Sequence, residues 1–297
     1  MTSSINWALY HSFLAVMEHG SLSGAARALG LTQPTIGRHI NELEKALGVG
    51  LFVRSQKGLL ATDVAYELLP QAQKMANIAA SMVRSASCGE GVLNGTVRLS
   101  ASEIVGIEIL PKVLSKLQRA HPELKIEMTI SDSPHDLLNR EADIALRMFR
   151  PTQNALVARL IGQLDLGMFA HRSYLDQYGA PQNISELQHH TLIGFDTISD
   201  YMRSYVDVLP MTLEPSLFQY RADSSLAQLA MLRAGVGIGV CQSALVADDG
   251  DILPLLEGQI KLQLEMWLTM HEDLKRNRAC KAVFDFLSEE LELVVRR

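Results

Sequence analysis

Residues 21–54 read SLSGAARALGLTQPTIGRHINELEKALGVGLFVR, and the punctuation of this stretch decides the fold of the chain's first part. Ser23 to Leu29 is a short helical pattern in which Gly24, Ala25, Ala26 and Ala28 are small enough to let another helix approach closely. Gly30 stands where that helix stops. Thr32 is a good N-cap for a second helix, and Pro34 falls in its first turn, where a missing N–H costs little. The second helix runs to about Leu47, with Ile36, Ile40, Leu43 and Leu47 along one face, and Gly48 closes it. Two helices joined by so tight a turn form a helix–turn–helix, which sets the start of its second helix into the major groove of DNA.

The other face of the second helix carries groups suited to that task. Gln33, Thr35, Arg38 and Asn41 can donate or accept at base edges or phosphates. Thr32 and Pro34 at its start and Arg27 on the preceding helix complete the candidate set. Between Arg27 and Lys57 five cations oppose Glu42 and Glu44, a local net charge of +3 on a chain whose formal net charge is −6. A positive island on an acidic protein suits a phosphate backbone. The competing reading is a plain helical pair whose polar face is merely solvated.

Outward from this stretch, Asn6 caps a first helix carrying Trp7, Tyr10, Leu14 and Met17, with Trp7 read as core rather than base-stacking. After Gly48, Leu51–Arg54 and Leu59–Thr62 flank Ser55-Gln56-Lys57-Gly58, a hairpin pattern. That hairpin is the wing of a winged helix, and it places Arg54 and Lys57 near the duplex backbone or minor groove. Ala65, Leu68, Ala72, Met75, Ala79, Met82 and Ala86 then alternate at spacings of three and four, which is coiled-coil periodicity. The expected occupant of this seam is the same helix of a second copy; the alternative is packing on the helix's own domain. Pro70 lies inside the pattern and is expected to kink or interrupt it. Cys88–Gly91 and Asn94-Gly95 mark a hinge.

The chain is 297 residues long, 47% apolar and 20% charged, enough for two or three domains with a sizeable core. Residues 1–92 carry a net charge of +1 and the remainder −7, so the carboxy-terminal body will not hold DNA by electrostatics. Cys88, Cys241 and Cys280 form neither a disulfide framework nor a metal spacing and read as free thiols. No apolar run reaches membrane-spanning length, and the amino terminus lacks a basic region and a signal core. The expectation is a cytoplasmic protein with no membrane partner.

From Thr96 onward strands and helices alternate in a way that builds a parallel α/β sheet. The strands fall at 97–101, 124–130, 142–147, 165–170, 192–195, 218–222, 236–240 and 262–270. Helices carry Ile109 to Ala120, 134–139, 173–178, 225–234 and 278–291. Such sheets bind ligands at the carboxyl ends of their strands. Ser100 and Ser102 end the first strand; Ser131 and Ser133 follow the second. Arg147 and Phe195 are further candidates. Hydroxyls beside helix N-termini suit an anion such as a carboxylate, whereas Asp132 would favour an amine, and Ser102 and Ser133 also fit as plain N-caps. Enzyme signatures are missing: Gly235-Val236-Gly237-Ile238-Gly239 lacks the G-x-G-x-x-G spacing, His189-His190 has no paired metal ligands, and no nucleophile elbow occurs. The reading is a protein without catalytic residues, metal or cofactor.

Ala25-Ala26, Leu29, Thr32-Gln33-Pro34, Ile36, Ile40, Leu43-Glu44, Leu47-Gly48, Leu51-Phe52 and Arg54 together resemble, without gaps, the signature of LysR-type transcriptional regulators. Looser likeness continues through Ile109-Leu110-Pro111, Glu141 to Arg147, Ala234 to Gly239 and Trp267-Leu268. The resemblance departs at Gly37, where the family usually has a DNA-contacting serine. It implies a winged helix–turn–helix domain at 1–62, a linker helix and hinge at 63–92, and an effector domain at 93–297. That last domain is expected to be a periplasmic-binding-protein-like pair of α/β lobes, 93–163 with 268–297 and 164–267, crossed twice near 160–166 and 264–270. The implied function is a ligand-responsive, sequence-specific regulator whose small-molecule effector sits between the lobes. Its implied partners are double-stranded DNA, the effector and further copies of itself as a dimer and tetramer, with RNA polymerase a candidate. The alternative is a metabolite-binding or catalytic α/β protein whose winged helix does not bind DNA.

Overall fold

The computed structural model describes residues 5–55, 58–86, 93–131, 142–151, 156–197, 214–259 and 262–296. The chain divides into two compact units, one ending at Ala86 and the other holding the rest of the described residues.

In the first unit, α1 (Trp7–His19), α2 (Leu22–Leu29) and α3 (Gln33–Leu47) pack around Phe13, Val16, Ala25, Ile36, Ile40 and Leu43. Their ends follow the local chemistry. Asn6, Ser21 and Thr32 cap the three amino termini with side-chain oxygens. Gly20, Gly30 and Gly48 close the carboxyl termini at φ of 64°, 63° and 74°, where a side chain would clash with the following carbonyl. β1 (Phe52–Ser55) and β2 (Gly58–Ala61) pair antiparallel as the expected wing.

α4 runs unbroken from Asp63 to Ala86. Pro70 does not interrupt it, in contrast to the expectation from sequence; the proline lies exposed within the helix. The first half of the seam is also used differently. Ala65 and Ala72 are buried, and Leu68 packs beside them, in the core that α1 and α3 build. Ala65 and Ala72 therefore hold α4 to its own domain and are closed to a second copy, with Leu68 half-buried beside them. Beyond Lys74 the apolar side chains face out: Met75, Ile78, Met82 and Val83 are exposed and Ala79 is half-buried.

In the second unit, β3 (Gly95–Ala101) pairs parallel with β4 (Leu124–Ile130) on one side and β5 (Ile144–Arg147) on the other. The expected all-parallel sheet stops there. β11 (Leu262–His271) runs antiparallel to β5, and β6 (Leu156–His171) antiparallel to β11. β6 then pairs antiparallel with β9 (Ile238–Gln242) and β10 (Ile252–Leu255). β6 and β11, 16 and 10 residues long, lie in the middle of this mixed sheet and cross from one side of it to the other. The two crossings bulge together: Met266 faces Gly162 and Trp267 faces Leu160, leaving Ile161 as the extra residue.

α5 (Leu110–Ala120) and α9 (Arg278–Val295) cover the first lobe's sheet, burying Leu110, Val113, Leu117, Val283, Phe284, Leu287 and Leu291. In the second lobe, α6 (Arg172–Tyr178) and α7 (Ser225–Arg233) flank β7 (Ile193–Gly194), β8 (Tyr220–Arg221) and β9, and α8 (Ser243–Val246) follows β9. The run Gly235–Gly239 has a packing role here. A Cβ at Gly237 would overlap the Thr191 carbonyl oxygen, so glycine is what allows the chain entering β9 to pass close to Thr191. The helix expected at 134–139 lies outside the described residues.

Candidate nucleic-acid interface and ligand site

The first turns of α3 present the residues singled out for base and phosphate contact. Thr32 Oγ1 accepts the Thr35 amide at 3.4 Å, and the two threonine hydroxyls meet at 2.8 Å. Ser23 Oγ donates to Gln33 Oε1 at 3.1 Å, so α2 sets the orientation of the first side chain of α3. Gln33, Pro34, Arg38, Asn41 and Arg27 are exposed and Thr35 is half-buried. Arg38 lies 3.8 Å from Glu42 with its side chain 69% exposed; such a pair is weak and leaves the guanidinium available. Arg54 is described by its backbone on β1 only, and Lys57 lies outside the described residues.

Two polar anchors fix α3, and their anchoring role is not visible in the sequence pattern. His39 Nδ1 and Ser12 Oγ are 2.7 Å apart, joining α3 to α1. Glu44 Oε1 accepts the amides of Leu51 at 2.7 Å and Phe52 at 3.1 Å. The charge count set Glu44 against the neighbouring cations, but its carboxylate is taken up at the root of the wing. Trp7 is half-buried and stacks on His11, ring centroids 5.9 Å apart.

In the second unit the carboxyl ends of β3, β4 and β5 converge because parallel register brings Ala101 beside both Ile130 and Leu146. The Ser131 amide donates to the Ala101 carbonyl at 2.9 Å and the Ser102 amide to that of Leu146 at 3.2 Å. Arg147 is buried there and donates to Ser100 Oγ at 2.7 Å through Nη2 and to the Leu146 carbonyl at 3.1 Å through Nη1. Ser102 is 6% exposed, and its hydroxyl has no hydrogen-bond partner among the described residues. It does not cap the helix that follows; only its carbonyl takes part, accepting the Gly106 amide at 2.8 Å. A buried hydroxyl left in this state costs about 1–3 kcal/mol.

Structure thus brings Ser100, Ser102, Ser131 and Arg147 to one place. Ser133 lies outside the described residues. Phe195 is buried and meets the Phe218 ring edge-on at 5.1 Å, a packing contact within the second lobe. The loop after it is pinned where Asp223 Oδ1 accepts the amides of Asp196 at 3.0 Å and Thr197 at 2.8 Å.

Comparison with known proteins bears on both sites. Residues 7–65 match the model for the bacterial regulatory helix-turn-helix protein, lysR family, and residues 90–292 match the LysR substrate binding domain. The chain belongs to the LysR family of transcriptional regulators. It is a ligand-responsive, DNA-binding transcriptional regulator of the LysR type. A regulator of Xanthomonas campestris pv. campestris is 31% identical over 194 residues, which is 65% of this chain and 56% of that protein. CrgA of Neisseria meningitidis is 25% identical over 286 residues, 94% of this chain and 95% of CrgA. The solved structure of CrgA superposes with a TM-score of 0.61 at 25% identity, covering 96% of this chain and 99% of CrgA's. The fold is also shared with CbnR in complex with its target DNA, at a TM-score of 0.66, 20% identity, and coverage of 97% and 99%. The relatives are transcriptional regulators, and no helix among the described residues is long and apolar enough to cross a membrane.

Two details set this LysR-type regulator apart from a generic one. At Gly37 an added Cβ would sit 3.7 Å from Leu22 Cδ1, an ordinary contact, so the serine usual in the family fits without rearrangement. Gly37→Ser is expected to stabilise α3 by about 0.5 kcal/mol through helix propensity and to tighten DNA binding severalfold. Thermal melting and a binding isotherm check the two effects. The second detail concerns thiols. Cys241 and Cys280 are buried and in no disulfide among the described residues, and burial pushes the Cys241 thiol up to about 12. At neutral pH this favours the less reactive thiol form. Cys88 lies outside the described residues.

Proposed function

We propose that two copies of this regulator, joined along the outer half of α4, set the first turns of their α3 helices into the major groove of an operator. In this reading Gln33, Thr35, Arg38 and Asn41 meet base edges, and Arg27, Thr32 and the wing meet phosphates. The support is the combination of a fully buried inner face, Ile36, Ile40 and Leu43, with an outer face of polar side chains held by caps. CbnR, which has the same fold, was solved with its target DNA. A cytoplasmic, non-enzymatic protein that contacts RNA polymerase from its operator fits the same reading.

The effector site in this proposal lies at the carboxyl ends of β3, β4 and β5, with Ser102, Ser131 and Arg147 as its polar groups. One observation carries it: the Ser102 hydroxyl is buried beside the Arg147–Ser100 pair and is unpartnered among the described residues. An effector that accepts its hydrogen bond would recover the cost of burying it. The buried guanidinium nearby favours a carboxylate-bearing effector over an amine. A ligand shifts the DNA-binding state only by binding one arrangement of the lobes better than another.

The test is a melting screen of the full-length protein against small organic acids and amino acids. At least one acid is expected to raise the melting temperature. Ser102→Ala is expected to abolish that rise without lowering the stability of the unliganded protein, because the alanine leaves nothing unpaired. A screen in which no compound stabilises the wild type, or one in which Ser102→Ala responds normally, contradicts this site.

A further inference from the structure

Two carboxylates from one turn of the first lobe hold the two ends of α7 in the second. Glu103 Oε1 accepts from Ser224 Oγ at 2.9 Å and Oε2 from the Leu226 amide at 3.3 Å, at the amino terminus of α7. Glu108 accepts from Arg233, the last residue of α7, through both oxygens: Nη1 to Oε1 at 3.2 Å and Nη2 to Oε2 at 3.1 Å. Arg233 also donates to the Leu245 carbonyl at 3.4 Å and lies 4.0 Å from Asp249. Between the attachments, Leu229 and Leu232 of α7 share a core with Ile104, Val105 and Ile109.

The backbone explains how two glutamates five positions apart reach the same neighbour. In an α-helix, side chains at i and i+5 point roughly 140° apart. Val105–Ile109 is instead a π-turn, whose i→i+5 bonding closes about one turn over that interval. The wide turn therefore puts Glu103 and Glu108 on one side. It lies tight against the sheet, since a Cβ at Gly106 would overlap Ile130 Cδ1 and come within 3.3 Å of Ala101 Cβ. Downstream, Leu110, Val113 and Leu117 are locked into the core, so the following helix cannot rotate to absorb a change in the turn.

We propose that the wide turn is a two-point latch that fixes the second lobe's α7 to the first lobe and so sets the spacing of the lobes. The latch begins at the residue after Ser102. Any group that moves Ser102 moves Glu103, and the turn carries the displacement to Glu108. The link to an effector rests on the reading of Ser102 given above; the latch itself does not.

Hydrogen exchange followed by mass spectrometry on the full-length protein tests the latch without an effector. In Glu108→Gln, and more in the double variant Glu103→Gln/Glu108→Gln, amides of residues 225–233 are expected to exchange about tenfold faster, with α1–α3 and β3 unchanged. Arg233→Met, which keeps an apolar stem, is expected to behave like Glu108→Gln. The exchanged pair Glu108→Arg/Arg233→Glu is expected to recover most of the protection. Unchanged exchange over 225–233 in the double variant overturns the proposal. So does equal acceleration in every element, or an exchanged pair no better protected than either single variant.

Discussion

Replacing Met75 and Met82 together by glutamate is expected to convert the protein from dimer to monomer at micromolar concentration. α4 spends its first half on its own domain, through Ala65, Leu68 and Ala72. The remaining turns leave Met75 41% and Met82 68% exposed, with Ile78 and Val83 beside them. Burying each methionine against a second helix is worth roughly 1.5–3 kcal/mol. Two chains supply four methionines, so the double change weakens association by at least about a thousandfold. Glutamate also places like charges where the helices would meet. The fold of each chain is expected to survive, because both positions are exposed. Sedimentation equilibrium reads the mass directly; a variant that stays dimeric would place the pairing surface elsewhere.

The second large effect is expected from Arg38→Ala. The side chain is exposed and its pairing with Glu42 is loose, so the melting temperature is expected to change little. Loss of a bidentate base contact costs about 1–3 kcal/mol, roughly tenfold to more than a hundredfold in operator affinity. If Arg38 reads a base, the variant also loses discrimination at one position of the site. If it meets only phosphate, affinity falls alike on all sequences and the salt dependence becomes shallower. Fluorescence anisotropy over a range of salt concentrations separates the two.

Much of the first unit was legible because its signals are local. Asn6, Thr32, Gly20, Gly30 and Gly48 each act within a turn of their own position, and the apolar spacing of α3 names its own buried face. Glu44 and His39 were not legible. Each is a polar residue on a helix, and the partners that make it structural lie on another element. The α4 pattern was read correctly as a stripe, but periodicity does not say what covers a stripe, and half of it is covered by α1. In the second unit the strand-end serines could be located because parallel strands end together. Sheet direction could not, since the alternation in Leu262–Met270 is the same whichever way the strand runs. β10 was not anticipated: it is four residues long and holds Pro254, which has no amide to donate and gives no strand signal. The π-turn has no compositional mark beyond Gly106, and the edge-on contact of Phe195 with Phe218 joins two residues far apart in sequence.

Whether α3 reads DNA in duplicate is decided by selection from a randomised duplex pool with the full-length protein. Enrichment is expected of two half-sites related by two-fold symmetry, with centres about one helical turn or a multiple of it apart, lost in Arg38→Ala. A pool that enriches no sequence, or one whose enriched sequence is indifferent to Arg38→Ala, would contradict it.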